Sequence, residues 1–226
     1  MAGKRSAQAM ADVQQILKQA RLQKYVAFHG PLKEIKFSVP ADTLAVFRRI
    51  QDGFSSTDRP IYLLYGPPQF GKTTIANAIE AWVSEAHPNI ICVNLEVNKV
   101  IAADEAAFWS QLGMLINGER DCRDFNSIMS VVSRCTLDHG KKFCLILDNM
   151  DTLLMKPALL TTFLDVLRMW KAQSPSFLLG FLGVGGFDLE KTSLVYQAGP
   201  FSSPFNVAEL IKTDPFTSFQ MTGFSN

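Results

Sequence analysis

At 226 residues, 47% of them hydrophobic and 19% charged, the chain is long enough to bury the core of one domain with an appendage. A net charge of +1 gives no global field, so charge balance lends no support to binding of nucleic acid or an anionic membrane, which would need a local patch. No stretch approaches the roughly 18 to 20 apolar residues of a transmembrane helix.

The start of the chain carries Lys4 and Arg5 but then "SAQAMADVQQ" in place of an apolar leader core. Residues 6 to 27 place Ala9, Val13, Ile16, Leu17, Ala20 and Tyr25 at roughly helical spacing, with Lys18, Arg21 and Lys24 on the other side. A transit sequence or partner-binding arm fits that pattern, and so does a helix packed on the domain. "EIKFSV" reads as a short extended segment before Pro40. "PADTLAVFRRIQDGFS" then predicts a helix of about three turns, with Asp42 as a cap candidate and Leu44, Val46, Phe47 and Ile50 inside.

From Arg59 the pattern changes to short apolar runs alternating with amphipathic ones. "IYLLY", a helix from Lys72, "IICVNL", helices within 104 to 117 and 123 to 138, "KFCLILD", a helix from Pro157 and "SFLLGFLGV" follow in turn. Strands built almost wholly of apolar residues and alternating with helices predict a parallel sheet covered on both faces. The chain divides into a helical extension over 1 to 58, a core over 59 to 200 and a Phe-rich tail over 201 to 226.

Gly66-Pro67-Pro68-Gln69-Phe70-Gly71-Lys72-Thr73 fits G-x-x-x-x-G-K-[ST] in full, with a strand before it and a helix after it. Such a loop turns its backbone N–H groups around phosphate oxygens, and glycine allows the backbone angles and close approach this requires. The helix that follows adds its free N–H groups and positive dipole end. Lys72 is placed to meet β- and γ-phosphates, the Thr73 hydroxyl to coordinate Mg²⁺, and Thr74 supplies a spare hydroxyl.

Asp148, at the end of "KKFCLILD", is the acid expected at a neighbouring strand end, where it can hold Mg²⁺ through water. Many ATPases of this plan carry a Glu next to that Asp to polarise the attacking water. Position 149 is Asn, whose amide can orient water but cannot act as a general base. Asp151 and Glu96 are the nearest acids in chain order; either could substitute for that Glu, and a cap or surface charge is the simpler reading of each. The catalytic set expected from the sequence is therefore Lys72, Asp148 and Asn149.

Cys92, Cys122, Cys135 and Cys144 form no C-x-x-C pair, and reduced thiols in an intracellular, cytoplasmic setting are expected. His29, His87 and His139 are widely separated and predict no metal centre.

At "YGPPQFGKTT" and "LILDNMDTLL" the sequence resembles P-loop ATPases of the AAA-like and signal-transducing (STAND) group. More narrowly, with "FLGVGGFDL" and "SPFNVAELIKTDPFT" added, it is similar to the AAA-like domains of fungal and Crinkler-type effector proteins, over about residues 28 to 220. The resemblance implies a three-layer αβα sandwich, ATP and Mg²⁺ as ligands, and a strand over 176 to 184 between the loop strand and the Asp148 strand. It also implies a polar sensor at the end of that strand, where this chain has Gly183-Val184-Gly185-Gly186. A helical lid would follow "DPFT", so the lid is expected to be missing or to belong to a longer relative. Arg168 is the best-placed arginine-finger candidate, and a solvated helix face is its simpler account.

Two functional classes follow: a slow ATPase used as a conformational switch, or a nucleotide-binding scaffold without turnover. Phe201, Phe205, Phe216, Phe219 and Phe224, interrupted by Pro204 and Pro215, cannot form a continuous amphipathic helix, which predicts a self-association or partner surface. Folding back of this tail as the next strand is the alternative.

Overall fold

Ile61–Tyr65 (β1) is buried at every position. The computed structural model describes residues 44–173, 177–190 and 208–213. The basic N-terminal helix pattern, the "EIKFSV" segment, Asp42 and the five tail phenylalanines lie outside the described residues.

The further strands are Ile90–Glu96 (β2), Lys142–Asp148 (β3), Leu178–Gly185 (β4) and Ala208–Lys212 (β5). They form one sheet in the order β2-β3-β4-β1-β5, and all four pairings are parallel. β4 lies between β1 and β3, the place expected for it. β5 comes from the segment that the sequence sets apart as a tail and pairs with the other side of β1.

The helices are Ala45–Ser55 (α1), Lys72–Ala86 (α2), Lys99–Ala103 (α3), Glu105–Asn117 (α4), Phe125–His139 (α5) and Pro157–Ala172 (α6). A 3₁₀ helix, Met150–Met155 (η1), follows β3. Alternation along the strands sends side chains to two separate cores. Tyr62, Leu64, Cys144, Ile146, Leu182 and Val184 meet Phe47, Ile50 and Phe54 of α1 and Ile75, Ile79 and Val83 of α2. Ile61, Leu63, Val93, Leu95, Leu145, Leu147 and Phe181 meet α4, α5 and α6 on the opposite face. Helices on both faces of a parallel sheet make the α/β P-loop sandwich that the apolar strands predict.

Aromatic edges tie the second core together. Phe108 of α4 stands edge-on to Phe163 of α6 with centroids 5.6 Å apart, and Phe163 reaches Phe181 of β4 at 5.8 Å. Each of these rings is fully buried, a burial that stabilises by roughly 1.5–3 kcal/mol per side chain. α5 is started by Asp124, whose carboxylate accepts from the Ser127 N–H at 2.8 Å in a capping box. These supports fix the C-terminal edge of the sheet, where β1, β3 and β4 release their loops.

Candidate functional site

The site begins where β1 ends. Gly66 has φ 152° and Gly71 has φ 73°, so both ends of the loop use backbone that side chains rarely adopt. Gln69, at φ 65°, makes a third such turn at the exposed tip beside Pro68. Gly71 then caps α2, and its carbonyl accepts the first helical bond, from Ile75 N–H at 2.9 Å. α2 is held down by Ile75, Ala76, Ile79 and Val83, which aims its first turn, with Lys72, Thr73 and Thr74, at the loop.

Lys72 is half-buried, and its Nζ donates to the carbonyl oxygens of Gly66 at 3.0 Å and Pro67 at 2.6 Å. An ammonium has three donors, so one remains beyond the loop's own carbonyls. Burial holds the Lys72 ammonium below its ordinary value, while the negative charges of Asp148 and Asp151 act in the other direction. Both acids therefore lie within the electrostatic reach of this lysine.

Asp148 is 5% exposed, and its Oδ1 accepts from the Asn149 N–H at 2.9 Å. It follows Cys144 and Ile146 in the strand's alternation, which puts it on the face covered by α2. Its second oxygen makes no hydrogen bond among the described residues. A hard, nearly buried carboxylate oxygen on the same face as the first turn of α2 fits Mg²⁺, which usually takes one or two carboxylates, phosphates and several waters. Thr73 supplies the hydroxyl that would complete the protein's share. No cluster of three His, Cys, Asp or Glu side chains suited to a metal occurs among the described residues.

Asn149 takes the left-handed conformation, φ 55°, at the turn from β3 into η1. Its Nδ2 donates to Glu96 Oε1 at 3.3 Å, across from the end of β2. Asp151 accepts from the Gly186 N–H at 3.3 Å. Neither acid is a simple surface charge: Glu96 is exposed but bonded to Asn149, and Asp151 secures the turn after β4. Arg168 pairs with Asp165 at 3.0 Å on an exposed helix face, which matches the solvated-face account.

The glycines at the end of β4 answer to packing. A Cβ on Gly183 would stand 2.6 Å from Met150 Sδ and 2.8 Å from Leu63 Cδ2, and one on Gly185 would stand 2.8 Å from Leu189 Cδ1 and 2.9 Å from Asp151 Oδ1. Neighbours fill the space that a polar sensor side chain would need.

Thr213 is a site residue that sequence reasoning missed. It is 3% exposed, and both its N–H and its hydroxyl donate to the Tyr65 carbonyl oxygen, at 2.8 and 3.2 Å. Its hydroxyl oxygen stands where a Cβ on Gly66 would go. The Tyr65 hydroxyl in turn donates to Glu190 Oε1 at 3.2 Å, so the residue before the loop is clamped at both ends. "IYLLY" carries no signal for this, because the clamp depends on β5 lying beside β1.

A family model described as an AAA domain matches residues 55–192, more than half of the chain. Curated proteins give no match to the sequence. Among solved structures, the ORC2 protein of Aeropyrum pernix in its ADP form is similar with TM-score 0.60 and 17% identity, over 92% of this chain and 54% of that one. Cdc6p of Pyrobaculum aerophilum gives 0.56 and 17%, over 91% of this chain and 51% of that one. Drosophila ORC bound to DNA gives 0.53 and 13%, over 92% and 56%. The chain thus spans about half the length of these structures, and at such identities the likeness is one of fold.

Proposed function

The chain belongs to the AAA domain family, and on that premise we propose that it binds ATP with Mg²⁺ through residues 66–74 and Asp148 and acts as a slow ATPase whose nucleotide state sets its conformation. The observation that carries this reading is Lys72, half-buried at the start of α2 and lying within the field of Asp148. A phosphate oxygen there meets the lysine's charge, loop N–H groups and the helix dipole together. Mg²⁺, when bound, neutralises charge on the β- and γ-phosphates; Thr73 and Asp148 are the residues that would hold it. Adenine is favoured because Aeropyrum pernix ORC2 was solved in ADP and ADPNP–ADP forms and because this sequence has no N-K-x-D motif.

Asn149 favours a second reading, a scaffold that holds nucleotide without turning it over. Phosphate release from wild type and Asp148→Asn separates the two. A wild-type rate lost in the variant supports the ATPase; equal rates support the scaffold. The likeness to STAND ATPases rests on "YGPPQFGKTT" and "LILDNMDTLL", the narrower one to Crinkler-type domains adds "FLGVGGFDL" and "SPFNVAELIKTDPFT", and both are part of this proposal. Four cysteines with no C-x-x-C spacing support a reducing, intracellular setting, and no described helix is long and apolar enough to cross a membrane.

A further inference from the structure

β2 and β3 end level with each other. Their parallel register pairs Asn94 with Ile146 and Glu96 with Asp148, so Glu96 and Asp148 lie side by side on one face of the sheet. That face is the one under α2. Asn94, two residues before Glu96 on the same side of β2, donates from Nδ2 to Asn77 Oδ1 at 3.1 Å and to Glu80 Oε2 at 2.7 Å, both on α2.

The level of Glu96 along the site follows from two periodicities. α2 leaves the loop at the C-terminal edge of the sheet and runs back to the start of β2, opposite in direction to the strands. From Asn77 back to Thr73 is one helical turn, about 6 Å, and from Asn94 forward to Glu96 is two strand residues, about 6.6 Å. Since Asn77 meets Asn94, Thr73 stands at the level of Glu96 and Asp148. Asp151, by contrast, approaches the Cβ direction of Gly185, which points to the opposite face, and one of its oxygens is taken by Gly186 N–H. Of the two acids near Asn149, Glu96 shares the Asp148 face of the sheet, while Asp151, whose charge also reaches Lys72, is held by the Gly186 N–H.

We propose that Glu96 is the catalytic carboxylate of this ATPase and that Asn149 is its positioning residue, the acid being carried on β2 while the amide stands after Asp148. The Asn149 amide fixes one Glu96 oxygen and leaves the other to a water. The water oxygen attacks the γ-phosphorus and its proton passes to the Glu96 carboxylate. The bond from the γ-phosphorus to the bridging oxygen breaks, its electron pair leaves on ADP, and the proton is then released with inorganic phosphate. An amide at 149 is thereby reconciled with turnover, because the carboxylate stands beside it at the end of β2.

This inference rests on nucleotide binding at the loop, so the test reads binding and chemistry separately. Affinity for a fluorescent ATP analogue with Mg²⁺ and single-turnover ATP hydrolysis are measured on the full chain for wild type, Glu96→Gln, Asn149→Ala and Glu96→Gln/Asn149→Glu, with thermal melts confirming folding. Glu96→Gln is expected to bind the analogue as wild type does and to hydrolyse ATP about 100-fold or more slowly. Asn149→Ala is expected to lose roughly 10-fold at unchanged affinity, and the double variant to regain most of the rate that Glu96→Gln loses. A wild-type rate in Glu96→Gln overturns the proposal, as does loss of analogue affinity together with rate, which marks a metal or folding role. Binding by wild type without hydrolysis above Asp148→Asn also overturns it. No binding by wild type defeats the nucleotide reading itself, and this inference with it.

Discussion

Thr213 occupies the space beside Gly66 that any side chain on that glycine would need, while its N–H and hydroxyl both donate to the carbonyl oxygen of Tyr65. The end of β5 therefore shapes the start of the phosphate loop. Gly66→Ala meets both the Thr213 hydroxyl and an unfavourable φ of 152°, a strain of order 1–3 kcal/mol. It should weaken ATP-analogue binding and lower the thermal midpoint. Thr213→Val keeps the shape and removes one hydrogen bond, so urea unfolding should show a loss of about 1 kcal/mol. Unchanged stability in Thr213→Val would remove the hydroxyl bond, and leave only the β5 backbone, in the account of the loop.

Filling the glycine-only end of β4 should harm the fold. Gly183→Ala brings a methyl group against Met150 Sδ and Leu63 Cδ2, and overpacking of this kind costs about 1–3 kcal/mol. Chemical denaturation of Gly183→Ala and of Gly183→Ala/Met150→Ala measures it. The shorter residue at 150 should reduce the incremental cost of the alanine at 183. Equal incremental costs in the two backgrounds would mean that Met150 is not what excludes a sensor side chain.

Metal removal should act through Thr73 and Asp148. Chelating Mg²⁺ is expected to lower wild-type affinity for the ATP analogue by roughly 10-fold or more, on the scale of one charge-assisted contact. Thr73→Ala and Asp148→Asn should bind in Mg²⁺ about as weakly as wild type does with chelator. A full Mg²⁺ response in Asp148→Asn would move the metal to another ligand.

The α5 cap makes a pH-dependent contribution of known sign. Hydrogen bonds from the Ser127 N–H, and then from its hydroxyl, hold the Asp124 carboxyl below the usual carboxylate range. Its stabilising contribution is present above the unfolded-state value and is lost as pH falls through the lower folded-state value. Asp124→Ala should therefore melt below wild type at neutral pH, and the gap should close as the solution is acidified below the folded-state value. A gap that stays constant with pH would assign the effect to something other than the charged cap.

Much of this was legible in the sequence because the signals were local. "IYLLY", "KFCLILD" and "SFLLGFLGV" are apolar enough to declare buried parallel strands, and Gly66 to Thr73 states its own turn and helix start. What was not legible depends on which strands become neighbours. Ala208–Lys212 buries only Ile211 within the strand, so "AELIK" gives an edge strand little hydrophobic signature. Thr213 acquires its role only once that strand lies beside β1. The Glu96–Asn149 contact needs the β2–β3 register, which no spacing along the chain encodes; chain order alone leaves each acid open as a substitute for the missing Glu or as a cap or surface charge. The five-residue helix Lys99–Ala103 is too short to carry a periodic pattern.

The most direct test of nucleotide binding at this loop is equilibrium binding of a fluorescent ATP analogue with Mg²⁺ to wild type and Lys72→Ala. Hydrogen bonds to charged groups contribute about 1.5–3 kcal/mol, so losing the lysine should reduce affinity by roughly 10- to 150-fold while the domain still melts cooperatively. Equal affinity in the two folded proteins would contradict the assignment of residues 66–74 as the phosphate site.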